Sequence, residues 1–137
     1  MKTTLILTAI LLIFVSFGCG KEPTESEETG GDFNVTVGSG MTPEISWDGG
    51  NAHALRIKRM SDNILIWYIL TKFYGEPVNE IESPVTFGET PSGVEETFAM
   101  RELEKGIEYK CIISIFDESA SVGGLIIYKE GWTEFTP

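Results

Sequence analysis

From Phe33 onward, apolar and polar residues alternate in short runs separated by turn-forming residues. Phe33-Asn34-Val35-Thr36-Val37 alternates and ends at Gly38-Ser39-Gly40, and Ile45-Ser46-Trp47 stops at Asp48-Gly49-Gly50-Asn51. Leu55-Arg56-Ile57-Lys58 alternates in turn, and Ser61-Asp62-Asn63 leads the chain into Ile64 to Leu70. Val85-Thr86-Phe87 is short, and Val94 to Met100 carries Phe98 and Met100 on one face. Ile107, Tyr109, Cys111, Ile113 and Ile115 form the longest alternating face. Leu125 to Tyr128 follows the turn residues Ser119 to Gly124, and Trp132 and Phe135 lie on the last strand. A side-chain period of two belongs to strands, and the 3.6-residue period of an amphipathic helix is absent. Short strands at regular spacing with turns between them predict an all-β sandwich over 33–137.

The first 32 residues follow another pattern. Met1-Lys2 precedes an apolar stretch from Leu5 to Val15, shorter than the roughly 18–20 residues of a transmembrane helix. That arrangement predicts a signal peptide over 1–18. Ser16-Phe17-Gly18-Cys19 resembles the lipobox of bacterial lipoproteins, with the small residue ahead of cysteine that the signal peptidase requires. Ser16 and Phe17 depart from the commoner Leu followed by a small residue. The resemblance implies that Cys19 becomes the mature N-terminus, carries fatty acyl chains and anchors the protein in a membrane. Gly20 stands where some Gram-negative lipoproteins carry an Asp that retains them at the inner membrane, and Lys21-Glu22 resembles a surface-export signal. The expected location is the bacterial cell envelope; if the cell is Gram-negative, the outer membrane is favoured, with surface exposure there. Residues 19–32 then form a lipidated terminus and a linker. Its acidic stretch EPTESEETGGD cannot bury apolar area and is expected to be a disordered tether through Asp32.

Within the domain two motifs carry a second resemblance. Pro43-Glu44-Ile45-Ser46-Trp47-Asp48 is similar to the second strand of a fibronectin type III domain with its core tryptophan. Leu103-Glu104-Lys105-Gly106-Ile107-Glu108-Tyr109 resembles that family's Leu-x-Pro-Gly-x-x-Tyr turn, with Lys105 in place of Pro. The resemblance implies a seven-stranded Greek-key β-sandwich with Trp47, Leu103 and Tyr109 as structural residues. Trp47 would sit in the core, and the Tyr109 hydroxyl would bond nearby backbone. An immunoglobulin-like relative is the alternative, since Tyr109 lies two residues before Cys111.

Charge and chemistry narrow the function. A formal net charge of −11 argues against nucleic acid, whose phosphates need Lys and Arg, and against anionic lipid headgroups. Of the 2 cysteines, lipidation takes Cys19, so Cys111 is expected to be a buried free thiol between Tyr109 and Ile113. The single histidine, His53, is expected as a satisfied strand-end residue. A small envelope hydrolase built on His53, with Ser46 and Asp48 nearby in sequence, is the enzymatic alternative. No nucleophile elbow or oxyanion motif accompanies it.

One histidine and no cysteine pair give no zinc ligand set. Asp48 with Asn51, or Asp117 with Glu118, could meet calcium only outside any EF-hand spacing. No cofactor or metal is expected. Asn34-Val35-Thr36 matches a glycosylation sequon, incidental in a bacterial lipoprotein. Trp67, Tyr68, Phe73 and Tyr74 crowd one stretch and form the candidate binding surface for an unidentified protein or glycan. On a strand Trp67 and Tyr68 face opposite ways, one into the core and one toward a partner. The expected function is a non-enzymatic interaction or accessory module at the envelope. An inhibitor of an envelope or secreted hydrolase, presented on the sandwich loops, is a further alternative.

Overall fold

The computed structural model describes residues 28–72, 75 and 77–137. The expected signal peptide, Cys19, the first part of the expected tether, and Phe73 and Tyr74 lie outside the described residues. Among the described residues there are nine strands and no helix. They are β1 (Thr29–Gly31), β2 (Val35–Val37), β3 (Glu44–Trp47), β4 (Ala54–Arg59), β5 (Leu65–Thr71), β6 (Val85–Thr86), β7 (Val94–Phe98), β8 (Tyr109–Phe116) and β9 (Tyr128–Phe135).

All pairings are antiparallel. One sheet has the order β1-β9-β8-β4-β5-β7, and a smaller one has the order β2-β3-β6. The two sheets share one apolar core, as the layers of a β-sandwich do. From the small sheet come Val35, Val37, Ile45, Trp47 and Val85. From the large one come Leu55, Ile57, Trp67, Ile69, Tyr109, Cys111, Ile113 and Phe135. The alternation read in the sequence is the cause. In β8, Tyr109, Cys111, Ile113 and Ile115 are buried while Lys110, Ile112 and Phe116 are half-buried on the other face.

The residues singled out as structural occupy structural places. Trp47 is buried, and its indole N–H donates to the Gly50 carbonyl at 2.6 Å, closing the turn that follows β3. Leu103 is buried. The Tyr109 hydroxyl accepts from the Glu104 amide at 2.9 Å, which ties β8 to the turn before it. Cys111 is a free cysteine, fully buried. Burial alone pushes its thiol pKa far up, so it stays protonated and unreactive.

Three elements differ from the sequence reading. The tether was expected to run to Asp32, but Thr29–Gly31 form β1 against β9. Backbone pairing needs no apolar side chain, and that criterion had excluded the segment. The last strand begins at Tyr128: Leu125 and Ile126 are exposed in the β8–β9 connection, where Val122 and Leu125 form an isolated bridge. The strand from Val94 ends at Phe98 and buries only Val94, because β7 is an edge strand with one neighbour and no layer over its outer side.

Candidate functional site

The aromatic stretch on β5 divides as strand alternation requires. Trp67 is fully buried, donates its indole N–H to Glu96 at 2.9 Å and meets the Phe87 ring edge-on at 5.5 Å. It belongs to the core and is removed from the candidate surface. Tyr68 is half-buried on the outer face of the six-stranded sheet. Phe73 and Tyr74 lie outside the described residues.

Register gives Tyr68 neighbours that sequence proximity did not suggest. Tyr68 pairs with Arg56 on one side and Phe98 on the other. Arg56 pairs with Ile112, and Ile112 with Trp132. Trp132, Ile112, Arg56, Tyr68 and Phe98 therefore form one row across five strands, each half-buried, on a face no other layer covers. The charges beside the row are largely matched. Arg56 pairs with Glu130, which also accepts from the Ser114 hydroxyl at 3.0 Å. Lys110 pairs with Glu134 at 3.1 Å and lies 3.3 Å over the Trp132 ring, a cation–π contact. Arg101 lies over Phe98 at 5.1 Å. Only this cross-strand register could have assembled the row.

On the same face, at one end of the sheet, Phe116 pairs with Tyr128. Burial raises the Tyr128 phenol pKa, and Tyr68 adds to that shift. The β8–β9 connection beyond them exposes Val122, Leu125 and Ile126, with Val122 at 76% the most open large apolar residue among those described. A groove of about 420 Å³ at this end is lined by Pro77, Phe116, Glu118, Ser121, Leu125 and Ile126 among others. Asp117 holds the connection in shape. Its carboxylate accepts from the Ser119 hydroxyl at 2.6 Å, pairs with Lys129 at 3.0 Å and accepts from the Ala120 amide at 3.3 Å. These donors hold its pKa down to about 2.

The polar residues weighed for catalysis are engaged elsewhere. His53 is buried, with Nδ1 at 2.7 Å from the Thr71 hydroxyl and 3.0 Å from the Val78 carbonyl. Thr71 itself donates to that carbonyl at 2.7 Å. The arrangement fits a proton on Nδ1 shared between the two oxygens. The imidazole stacks on Tyr128 with centroids 5.5 Å apart. Ser46 and Asp48 are not brought to it: the Ser46 hydroxyl bonds Thr36 at 2.9 Å, and the Asp48 carboxylate serves the amide and side chain of Asn34. Those Asn34 bonds hold the Asp48 pKa below the usual carboxylate range. Asp117 likewise spends both oxygens on Ser119, Ala120 and Lys129. Among the described residues no group of three or more His, Cys, Asp or Glu side chains is placed to hold a metal ion. No helix among them is long and apolar enough to cross a membrane. Compared with known protein families, curated proteins and solved structures, the chain matches none of them.

Proposed function

We propose that the chain is a lipoprotein acylated at Cys19, whose one domain is a non-enzymatic binding module of the bacterial cell envelope. The lipobox-like Ser16-Phe17-Gly18-Cys19 supports the anchor. A fibronectin type III-like domain is the finer reading of the fold. In that reading strands β2-β3-β6 and β5-β4-β8-β9 would be the two layers of a Greek-key sandwich, with β1 and β7 as additions at the edges of the larger sheet. The Trp47 core position and the Tyr109 hydroxyl bond support the same reading. The fold carries no function by itself.

The observation that carries the binding role is the half-buried row Trp132–Ile112–Arg56–Tyr68–Phe98 on an uncovered sheet face. Trp, Tyr and Arg are the residue types that dominate binding hot spots. The test presents the full acylated chain on vesicles to solubilised envelope material, protein and glycan fractions separately. Tyr68→Ala and Ile112→Ala are expected to keep the melting transition near that of the native chain and to lose capture. Capture undiminished in both folded variants would take the row out of the function.

A further inference from the structure

We propose that Glu28–Asp32 is a strap: it zips the end of the tether onto β9 and so fixes which end of the domain faces away from the membrane. The inference rests on the lipid-anchor reading for its orientation, and on the fold alone for the strap. β1 runs antiparallel to β9, with Thr29 opposite Thr133 and Gly31 opposite Gly131. Both ends are fastened. The Glu134 amide donates to the Glu28 carbonyl at 2.9 Å, and the Asp32 amide donates to the Glu130 carbonyl at 2.8 Å. The Asp32 carboxylate returns the contact by accepting from the Glu130 amide at 3.1 Å.

The glycine pair read in sequence as loose punctuation is what permits this docking. A Cβ on Gly30 would lie 2.5 Å from the indole ring of Trp132, which therefore rests directly on the Gly30 backbone. Gly31 has φ = 104° and would drive a Cβ into the Glu130 carbonyl oxygen. A freely moving linker needs neither feature. Both are the signature of close backbone approach.

The strap decides where the tether enters. With β1 docked, the chain arrives at the level of Glu134, beside the start of β8, since Tyr109 pairs with Phe135. Residues 20–27 then separate Cys19 from the domain, a reach of at most about 28 Å. With β1 undocked, the first fastened residue would be Phe33, whose ring lies against Gly49 and Gly131 nearer the opposite end of the sheet. The tether would then be residues 20–32, with a reach of up to about 45 Å. Docking thus shortens the leash and moves its attachment along β9. The end bearing Tyr128, Val122, Leu125 and Ile126 is the one held outward.

The test uses the full acylated chain on phosphatidylcholine vesicles, labelled at a single introduced cysteine; buried Cys111 does not compete for label. Probes on Lys105→Cys, near the tether's entry, and on Val122→Cys, at the far end, are read by energy transfer to a headgroup-labelled lipid. Transfer is expected to be several-fold stronger from position 105, and Gly30→Val is expected to abolish most of that difference. Equal transfer from the two positions in the native chain would overturn the orientation. Failure of the native chain to float with vesicles would instead overturn the anchor. The strap is read without any membrane, by amide exchange on the Cys19→Ser chain. Asp32 and Glu134 are expected to be protected, and Gly30→Val to remove that protection while amides of β4 and β8 keep theirs. Unprotected Asp32 and Glu134 in the native sequence would sink the strap.

Discussion

At Tyr109 a single hydroxyl does work that the apolar pattern could not have assigned. Alternation predicts that the ring is buried, and it is; the motif adds that its oxygen has a partner, and the Glu104 amide supplies it at 2.9 Å. Tyr109→Phe keeps the ring, its contact with Phe135 and its volume, and leaves the Glu104 N–H without an acceptor. The expected loss is about 0.5–1.5 kcal/mol, the net worth of one such bond, measured by denaturant unfolding with an unchanged m-value. Asp117 gives a second test at this scale. Its folded pKa of about 2 lies below the ordinary carboxylate value of 3.8, so the charged form is favoured by folding. The stabilisation is complete above pH 4 and is lost as pH falls from there through about 2. Because the carboxylate's partners are Ser119 and Ala120 in the connection and Lys129 beside it, the effect belongs to the connection and not to the core. Acidification is expected to release the Ser119 and Ala120 amides before global unfolding, which proton-resolved exchange would record. Simultaneous loss of the β8 amides would show that Asp117 acts on the whole fold instead.

Elements were legible where burial made them so. β2, β3, β4, β5, β6 and β8 were all found near their true positions, because each sets apolar residues against the shared core. β1 was invisible since it contributes backbone and two glycines, and no hydrophobic signal marks a strand that only pairs. The opposite error occurred at Leu125-Ile126-Ile127-Tyr128, an apolar run that reads as a strand and lies mostly in a connection. An apolar run predicts burial only if a layer exists to cover it, and nothing among the described residues covers Leu125, which is 65% exposed. Leu125→Ser is therefore expected to change stability by no more than about 0.5 kcal/mol, whereas a truncation in a core strand costs several times that. A drop in melting temperature matching a core truncation would mean that the connection packs more tightly than its exposure indicates. The candidate surface shows the same division. Tyr68 could be picked from its own segment, while Trp132, Ile112 and Phe98 joined it through register, a property no single segment carries.

For the whole molecule, the proposed anchor would make attachment to a membrane depend on one atom, the sulfur of Cys19. Each buried methylene contributes about 0.8 kcal/mol, so two or three long acyl chains hold far more firmly than the marginal binding of a single myristoyl group. The net charge of −11 repels anionic headgroups instead of gathering at them, and no helix among the described residues is long and apolar enough to span. Loss of the acyl chains should accordingly be complete in its effect and insensitive to salt, since no electrostatic attachment remains to be screened. The fold should be indifferent to the same change, because the described contacts begin at Glu28 and the core at Phe33 and Val35. Cys19→Ser is thus expected to take up no labelled fatty acid, to leave membranes wherever residues 1–18 are removed, and once purified to melt as the native domain does. Fractionation at low and high salt, fatty-acid labelling and a thermal scan read the three outcomes separately. A variant that still takes up labelled fatty acid would show that Cys19 is not the acylated residue. One that loses residues 1–18 and stays membrane-bound without label would show a second attachment in the chain. A variant with a lowered melting temperature would show that the anchor segment packs on the domain.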